Sequence, residues 1–415
     1  MTSSFIGYEI NRGYLNFINA LNSEMKEAGS YASIFRHKIV GLIKLFFIPI
    51  LIIYGTLIII LIRVRLLFVI NSKPSKLHLE AIEHITKFLS QYPMHLYPVV
   101  AKSLELSFIT DNIKKISNQI KGEIVELAVG DGTLSSKIFS NGDRIICFDL
   151  NPYSLIHTKN YKHISKRIVA DCLNPPIASH GASLIVSNNL LHHITNKEYT
   201  LNNWGQVAAY ALFNENTNYW ASSWYNPFIL RLIGLNDKAK RAAYHIEKHS
   251  LQSLWKEGQL VSAIKRYYDI IEKKSFFNEK VFFLSSVCSA LLFCYGPPTP
   301  KLQKKMLKGL LWPITRAVTY HMAKALIEYD AILPRDKDSF IFWLVRSKLI
   351  DKAGSANQVT LVCPDCRKEI QGNICNICKR TFEEKDGMFF LLPKDLARDI
   401  LYSSSNANVL DKEHL

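Results

Sequence analysis

Hydrophobic and polar positions change rhythm several times along the chain. Across residues 1–37 aromatic and polar residues alternate loosely (Phe5, Tyr8, Tyr14, Phe17), which predicts an amphipathic segment of one or two helices. Residues 38–70 hold the most apolar run, Leu45–Ile62 (LFFIPILIIYGTLIIILI), eighteen residues without a charge. As a helix it would reach roughly 27 Å, close to the hydrocarbon thickness of a bilayer. The run predicts a membrane helix. Pro49 and Gly55 keep a re-entrant dip open beside a full span, and a buried core helix is the third reading. Basic residues lie on both flanks (Arg36, Lys38 and Lys44; Arg63, Arg65, Lys73 and Lys76), so the positive-inside rule assigns no orientation. Met1–Ala32 is polar and mixed in charge and predicts no signal peptide.

Beyond Lys73 the period becomes helical, with Ile82, Ile85, Phe88 and Leu89 on one stripe, and predicts a pair of lead-in helices that cover the next element. Short apolar runs then alternate with helical stretches. Ile124–Leu127 reads as a buried strand, Gly130-Asp131-Gly132 as a tight turn, and Thr133 as the cap of a helix through Phe139. Asn141-Gly142-Asp143 breaks that helix, and Ile145–Phe148 forms a second strand ending at Asp149. Arg167–Asp171 and Ala182–Asn188 supply two more strands, the last followed by a helix opening at Leu190–Ile194. Later elements are expected at Tyr219–Trp224 (fifth strand), Ser250–Glu257 (helix), and Ser275–Ser286 and Ser339–Arg346 (edge-side strands). Such alternation predicts an α/β fold with a doubly wound, mostly parallel sheet over residues 73–350. The polar linker Lys352–Asn357 separates it from a small module at 357–395, and residues 396–415 form a polar tail.

Charge adds a partner class. Lys and Arg total 51 against 35 Asp and Glu, a net +16 that favours an anionic membrane surface, nucleic acid or a phosphorylated substrate. Lys301–Leu326 places Lys301, Lys304, Lys305, Lys308 and Arg316 among Leu and Trp residues, as an interfacial helix or a solvated helix face would. Of eight cysteines, Cys147, Cys172, Cys288 and Cys294 are scattered, and four crowd into Cys363–Cys378. The crowded set reads as a metal site in a reducing compartment, not as a disulfide framework.

A glycine pair after a strand is a weak signal by itself. Here, however, four consecutive strand ends carry polar groups: Glu126, Gly130, Asp131 and Gly132 after the first, Asp149 after the second, Asp171 after the third, and Ser187-Asn188-Asn189 after the fourth. Ligands of open α/β sheets bind outside the carboxyl ends of the strands, so these groups converge on one crevice. With its fourth strand running into SNNLLHHI, the chain resembles the class I S-adenosylmethionine-dependent methyltransferases (type 11-like) over roughly Ala81–Ser347. The resemblance implies a Rossmann-like methyltransferase sheet and S-adenosylmethionine as cofactor. Glu126, Ala128, Gly130, Asp131 and Gly132 would wrap its methionine part. Asp149, with Leu150, would take the ribose hydroxyls, Asp171 with Cys172 the adenine, and Asn188 would face the same pocket. Ala128 stands where the family has its first glycine, a change that fits if the backbone there keeps a negative φ. The glycine turn usual before the fifth strand is absent between Thr200 and Tyr219, where Asn214-Glu215-Asn216 stands. His193 is the candidate catalytic base, with packing of His192 or His193 at a helix start as the alternative and His245 and His249 as weaker candidates.

The second motif is Cys363-x2-Cys366, eight residues, then Cys375-x2-Cys378. Paired knuckles of this kind place four thiolates around one structural Zn2+; four free thiols or a redox pair are the alternatives. With Lys379–Pro393 the module resembles the zinc-ribbon activator subunit of tRNA and release-factor methyltransferases. A closed four-thiolate site has no open position for catalysis, so its work is structural or it docks on the catalytic domain.

These features order the functional readings. First is a membrane-associated methyltransferase acting on a lipid, a lipid-linked sugar or another membrane-proximal acceptor, with its catalytic domain and ribbon on the cytoplasmic face. Second is an RNA or protein methyltransferase, favoured by charge. Third is a non-catalytic methyltransferase-like scaffold.

Overall fold

Short, nearly continuous apolar runs that are buried on both faces build the centre of the molecule. The computed structural model of the chain describes residues 75–89, 96–120, 122–130, 132, 135–138, 144–158, 161–191, 194, 196–216, 257–292, 311–350, 358–394 and 396. The expected segments at 1–37, 38–70 and 397–415 lie outside them, as does the basic stretch 301–310. Among the described residues no helix is long and apolar enough to cross a membrane.

Two helices lead in, α1 (Lys76–Leu89) and α2 (Leu96–Ile116); β1 (Ile124–Leu127), α3 (Ser135–Ile138), β2 (Ile145–Asp149), α4 (Pro152–His157) and β3 (Ile164–Ala170) then alternate, and β4 (Ala182–Asn188) follows β3 with no helix between them. α5 (Lys197–Val207) runs directly into β5 (Ala208–Asn216), and α6 (Glu257–Tyr267) directly into β6 (Tyr268–Asn278). After α7 (Glu279–Leu292) and α8 (Leu311–Ile332), β7 (Asp338–Ser347) returns to the sheet. The order β3-β2-β1-β4-β5-β7-β6 is parallel from β3 to β5, with β7 antiparallel between β5 and β6. The strand order reverses between β1 and β4, and that is where an open α/β sheet leaves its crevice.

Alternate residues of each strand enter opposite cores. Ile124, Cys147, Leu184, Leu212, Phe342 and Phe390 join the core beneath α1, α2, α7 and α8. Val125, Phe148, Ile185, Phe213, Trp343 and Leu391 join the one beneath α5 and α6. Within the first core α2 is buried nearly all round, which is why its residues Ser103, Glu105, Ser107 and Asn112 are conspicuous. His78 ties α1 to α8 through Asp330 Oδ2 (3.1 Å); that carboxylate also accepts from the Asn278 N–H (2.7 Å) and from Arg335.

Several expected boundaries move. The fifth strand is Ala208–Asn216 and not Tyr219–Trp224, which lies outside the described residues. Its short apolar run follows a helix with no glycine turn, so the sequence hides the junction. Ser275–Ser286 is not one strand: β6 ends at Asn278, and an Asp330-anchored turn starts α7 at Glu279. The helix after β4 opens at Lys197, capped by Asn196 Oδ1 on the Tyr199 N–H, and not at Leu190. A helix is present from Glu257 to Tyr267, beginning where Ser250–Glu257 was expected to end. β7 is internal to the sheet, and β6 forms the edge.

The four-cysteine module is not a separate body on a linker. Its strands β8 (Ile370–Gln371) and β9 (Ile374–Cys375) pair with each other, whereas β10 (Glu384–Lys385) and β11 (Met388–Leu391) extend the central sheet, β11 lying parallel to β3. An otherwise open edge is thereby covered. The junction is further tied by Val359 N–H to Glu123 Oε2 (2.9 Å), Ala178 N–H to Thr360 O (2.9 Å) and Val362 N–H to Pro176 O (2.9 Å).

Candidate functional site

The crevice at the strand ends begins with the loop after β1. Ala128 has φ +54°, Gly130 +57° and Gly132 +68°. The expectation of a negative φ at Ala128 is therefore overturned: an alanine holds a left-handed position that a glycine would take without strain, at a cost of roughly 1–2 kcal/mol. A Cβ added at Gly130 would meet nothing within 4 Å, so this backbone borders open space and a ligand can approach it. At Gly132 a Cβ would lie 2.7 Å from Thr158 Cγ2 and 2.9 Å from Tyr161, so that glycine is required by packing.

Asp149, at the end of β2, is 7 % exposed. Its Oδ2 accepts from the Gly130 N–H (2.9 Å) and its Oδ1 from the Asn151 N–H (2.8 Å), which binds the glycine loop to the second strand end. Burial pushes this carboxyl up to about 6 against the pull of those N–H groups. Asp171, after β3, accepts from the Leu173 N–H (2.9 Å), and burial raises it also. Cys172 is buried beside both acids. Burial and their charges push its thiol well up, and its carbonyl accepts from Trp204 Nε1 of α5 (2.8 Å). Glu126 is buried within β1, Leu150 follows Asp149 in the same loop, and Asn188 ends β4. Glu126, Ala128, Gly130, Gly132, Asp149, Leu150, Asp171, Cys172 and Asn188 thus occupy four neighbouring strand ends, as the sequence predicts. Asp131, His192, His193, His245 and His249 lie outside the described residues. Open space over Gly130 with two buried carboxylates beyond it suits a ligand that presents vicinal hydroxyls and a purine, so these residues fit S-adenosylmethionine.

Further groups at this end went unread in the sequence. Glu105 of α2, 1 % exposed, accepts from Lys102 Nζ (2.7 Å), Asn189 Nδ2 (3.4 Å) and Asn188 Nδ2 (3.5 Å). Asn214 of β5 donates from Nδ2 to Asn188 Oδ1 (2.6 Å). Glu215 Oε1 accepts the N–H groups of Leu190 (2.9 Å) and Leu191 (2.7 Å) and so fixes the loop after β4. Lys197 Nζ donates to Ile194 O (2.7 Å), and burial lowers this ammonium to about 8 against the attraction of Glu215. The signal for these groups was visible as polar residues within an apolar helix and at a strand end. Only the fold shows that they meet.

In the four-cysteine module the sulfur atoms all lie within 4.8 Å of one another, with Cys363–Cys378 at 3.6 Å and Cys366–Cys375 at 3.4 Å. A tetrahedral ion with metal–sulfur bonds of about 2.3 Å needs edges of about 3.8 Å, so the set can hold one. The two knuckles match: the N–H of Arg367 donates to Cys363 O and that of Lys379 to Cys375 O, each at 2.9 Å, and both residues have positive φ. Backbone N–H groups of Cys378 and Ile377 pull the Cys375 thiol down to about 6, whereas burial pushes the Cys363 thiol up to about 12. From its knuckle Arg367 reaches across to the loop after Asp171 and donates to Pro175 O (3.0 Å) and Ile177 O (2.9 Å).

Residues 125–209 match the sequence profile of a family described as a methyltransferase domain. Among curated proteins no sequence matches the chain. Similar solved structures include a protein from Galdieria sulphuraria described as a sarcosine dimethylglycine methyltransferase (14 % identity, 62 % of this chain and 87 % of that one, TM-score 0.38). Another is the N-methyltransferase NodS from Bradyrhizobium japonicum in complex with S-adenosyl-L-homocysteine (12 %, 58 % and 86 %, TM-score 0.31). A third is a phosphoethanolamine N-methyltransferase from Haemonchus contortus in complex with S-adenosyl-L-methionine (12 %, 57 % and 52 %, TM-score 0.33). The profile match, the sheet order and the row of strand-end groups together make the chain an S-adenosylmethionine-dependent methyltransferase with a class I, Rossmann-like sheet.

Proposed function

We propose that this methyltransferase acts at a membrane, on a lipid, a lipid-linked sugar or another membrane-proximal acceptor, and that its four cysteines hold a structural Zn2+. The observation that carries the reading is the uncharged run Leu45–Ile62, which ends only thirteen residues before Ser75, the residue leading into α1. Thirteen residues span at most about 45 Å, and α1 packs on α2, the helix that delivers Glu105 to the strand ends. A segment held in a bilayer would therefore keep the crevice near the membrane surface, and the net charge of +16 would favour an anionic one.

Bound in the crevice, the cofactor supplies an electrophilic methyl group on a sulfonium. Asp149 and Asp171 orient it from the ribose and adenine sides, and the Gly130 backbone allows its close approach. Transfer to an acceptor needs in-line positioning above all, so the rigid placement of these groups is the main contribution of the chain. Zinc in the four-cysteine module is structural and fixes the knuckle from which Arg367 braces the loop after Asp171.

Incubation of the purified protein with cell extract and methyl-labelled S-adenosylmethionine, followed by separation into lipid, RNA and protein fractions, tests the reading. Label in the lipid fraction is expected. Label confined to RNA or protein would establish the alternative that the charge allows. Solubility after carbonate extraction without detergent would remove membrane integration.

A further inference from the structure

We infer that the four-cysteine module is a redox-sensitive switch on cofactor binding: oxidation of Cys363 and Cys378 to a disulfide releases the metal and loosens the loop after Asp171. The inference rests on the zinc and methyltransferase readings and adds a regulation of that same crevice.

The wiring between thiols and crevice is short. Ile177 and Leu361 form an antiparallel bridge, the Val362 N–H donates to Pro176 O (2.9 Å), and the next residue is the first thiol, Cys363. Arg367, which follows the second thiol, donates to Pro175 O (3.0 Å) and Ile177 O (2.9 Å). Its own backbone is left-handed (φ +59°) and its N–H closes the knuckle on Cys363 O (2.9 Å). A displaced Cys363 therefore moves both Val362 and Arg367. On its other side the loop is held by α5, where Trp204 Nε1 donates to Cys172 O (2.8 Å) and Asn203 Nδ2 to Leu173 O (3.2 Å). The helix grips the start of the loop and the knuckle grips its end, with Asp171 immediately before the first grip.

The thiols are arranged for oxidation. Two close sulfur pairs join the knuckles, Cys363–Cys378 at 3.6 Å and Cys366–Cys375 at 3.4 Å. A disulfide needs about 2.05 Å, so closing the first pair draws the knuckles together by about 1.5 Å and takes two of four ligands from the ion. Cys363 and Cys375 are buried and Cys366 is half-buried, but Cys378 is exposed, beside an Ile377 that is 67 % exposed. A peroxide arriving from solvent meets Cys378 first. Cys147 and Cys172 are buried in separate cores and have no such access.

With hydrogen peroxide as oxidant, the Cys378 thiolate attacks one peroxide oxygen. The S–O bond forms as the O–O bond breaks, and the departing oxygen takes a proton and leaves as water. The Cys363 thiolate then attacks the Cys378 sulfur. The S–S bond forms as the S–O bond breaks, and a second proton carries the hydroxyl off as water. The two sulfurs have together given two electrons to the peroxide, and a dithiol reductant returns them.

The test treats the full chain, reduced and zinc-loaded, with a small excess of hydrogen peroxide. Zinc release is followed with a chromogenic chelator, disulfides by peptide mass mapping, and S-adenosylhomocysteine affinity by calorimetry. Release of about one zinc per chain is expected in step with the Cys363–Cys378 disulfide. The S-adenosylhomocysteine Kd is expected to rise about tenfold, and dithiothreitol with added zinc to restore it. Arg367→Met should release zinc in the same way, but its Kd, already severalfold higher, should rise no more than about threefold on oxidation. Zinc release with unchanged affinity overturns the inference, as does an equal rise in Kd in both proteins, or a rise that accompanies oxidation of Cys147 or Cys172 without the Cys363–Cys378 disulfide. A reduced, unsubstituted chain that holds no zinc would overturn the zinc reading, and one that does not bind S-adenosylhomocysteine the methyltransferase reading, and with either the inference.

Discussion

Protonation of Asp149 should separate cofactor binding from fold stability. Burial holds this carboxyl at about 6 in the folded chain, above its ordinary value of 3.8. Because the folded value is raised, the ionised form is the disfavoured one, and its cost applies fully above pH 6. The fold recovers that free energy as pH falls from about 6 toward 4. A gap of about two pH units corresponds to about 3 kcal/mol. In the proposed role of Asp149 the ribose hydroxyls need the ionised form, so cofactor affinity is expected to move the opposite way. At pH 5 only about a tenth of the carboxyl is ionised, and the Kd for S-adenosylhomocysteine should be about tenfold higher than at pH 7. Asp149→Asn removes the charge but can still accept one of the two N–H bonds from Gly130 and Asn151. It should bind S-adenosylhomocysteine about one to two orders of magnitude more weakly, since hydrogen bonds to a charged group are worth about 1.5–3 kcal/mol. Without ligand it should be about 2 kcal/mol more stable than the unsubstituted chain at pH 7, the relief of about 3 less about 1 for the lost bond. Calorimetry between pH 5 and 8 and ligand-free thermal melts at pH 7 measure both. A flat affinity profile in the unsubstituted protein, or a variant that is both weaker in binding and less stable, would refute the assignment.

Other perturbations follow from the same geometry. Ala128→Gly should leave stability unchanged or raise it by up to about 1 kcal/mol, because relief of the left-handed strain outweighs the entropy glycine adds to the unfolded chain; a loss above about 1 kcal/mol in chemical denaturation would contradict it. Gly132→Val should melt markedly lower, since the added atoms run into Thr158 and Tyr161. Arg367→Met removes the side-chain donor to the Pro175 and Ile177 carbonyls, of which Pro175 O keeps the Ile177 N–H (2.7 Å); a severalfold rise in the S-adenosylhomocysteine Kd is expected, with metal content unchanged. Elemental analysis should find about one zinc per chain, lost in Cys363→Ser together with several degrees of thermal stability.

The strand-end row was legible because it is local. Each of β1 to β4 has a short apolar run with a glycine, carboxylate or amide at its end or within three residues of it, and a carboxylate or glycine in that place has few structural uses. The later strands were misplaced for a related reason. β5 and β6 each continue directly from a helix with no turn between them, Gly205 lying inside the helix before β5, and α7 resumes apolar residues at Val281, after only Glu279 and Lys280, so periodicity gave no boundary.

By itself the sequence determined the alternation that makes the sheet, the acids and glycines at the strand ends, and the two matched cysteine knuckles. All of these are fixed by neighbours within a few positions. Only the tertiary structure decided that Ala128 is held left-handed, since φ there depends on the loop being tied to Asp149 nineteen residues past Gly130. It alone brought Glu105 to Asn189 across 84 positions and Arg367 to the Pro175 carbonyl across 192. It also placed β11 beside β3, turning a module that reads as detached into the last strands of the sheet. Contacts at such separations arise from strand order and helix packing, and no local pattern of residues records them.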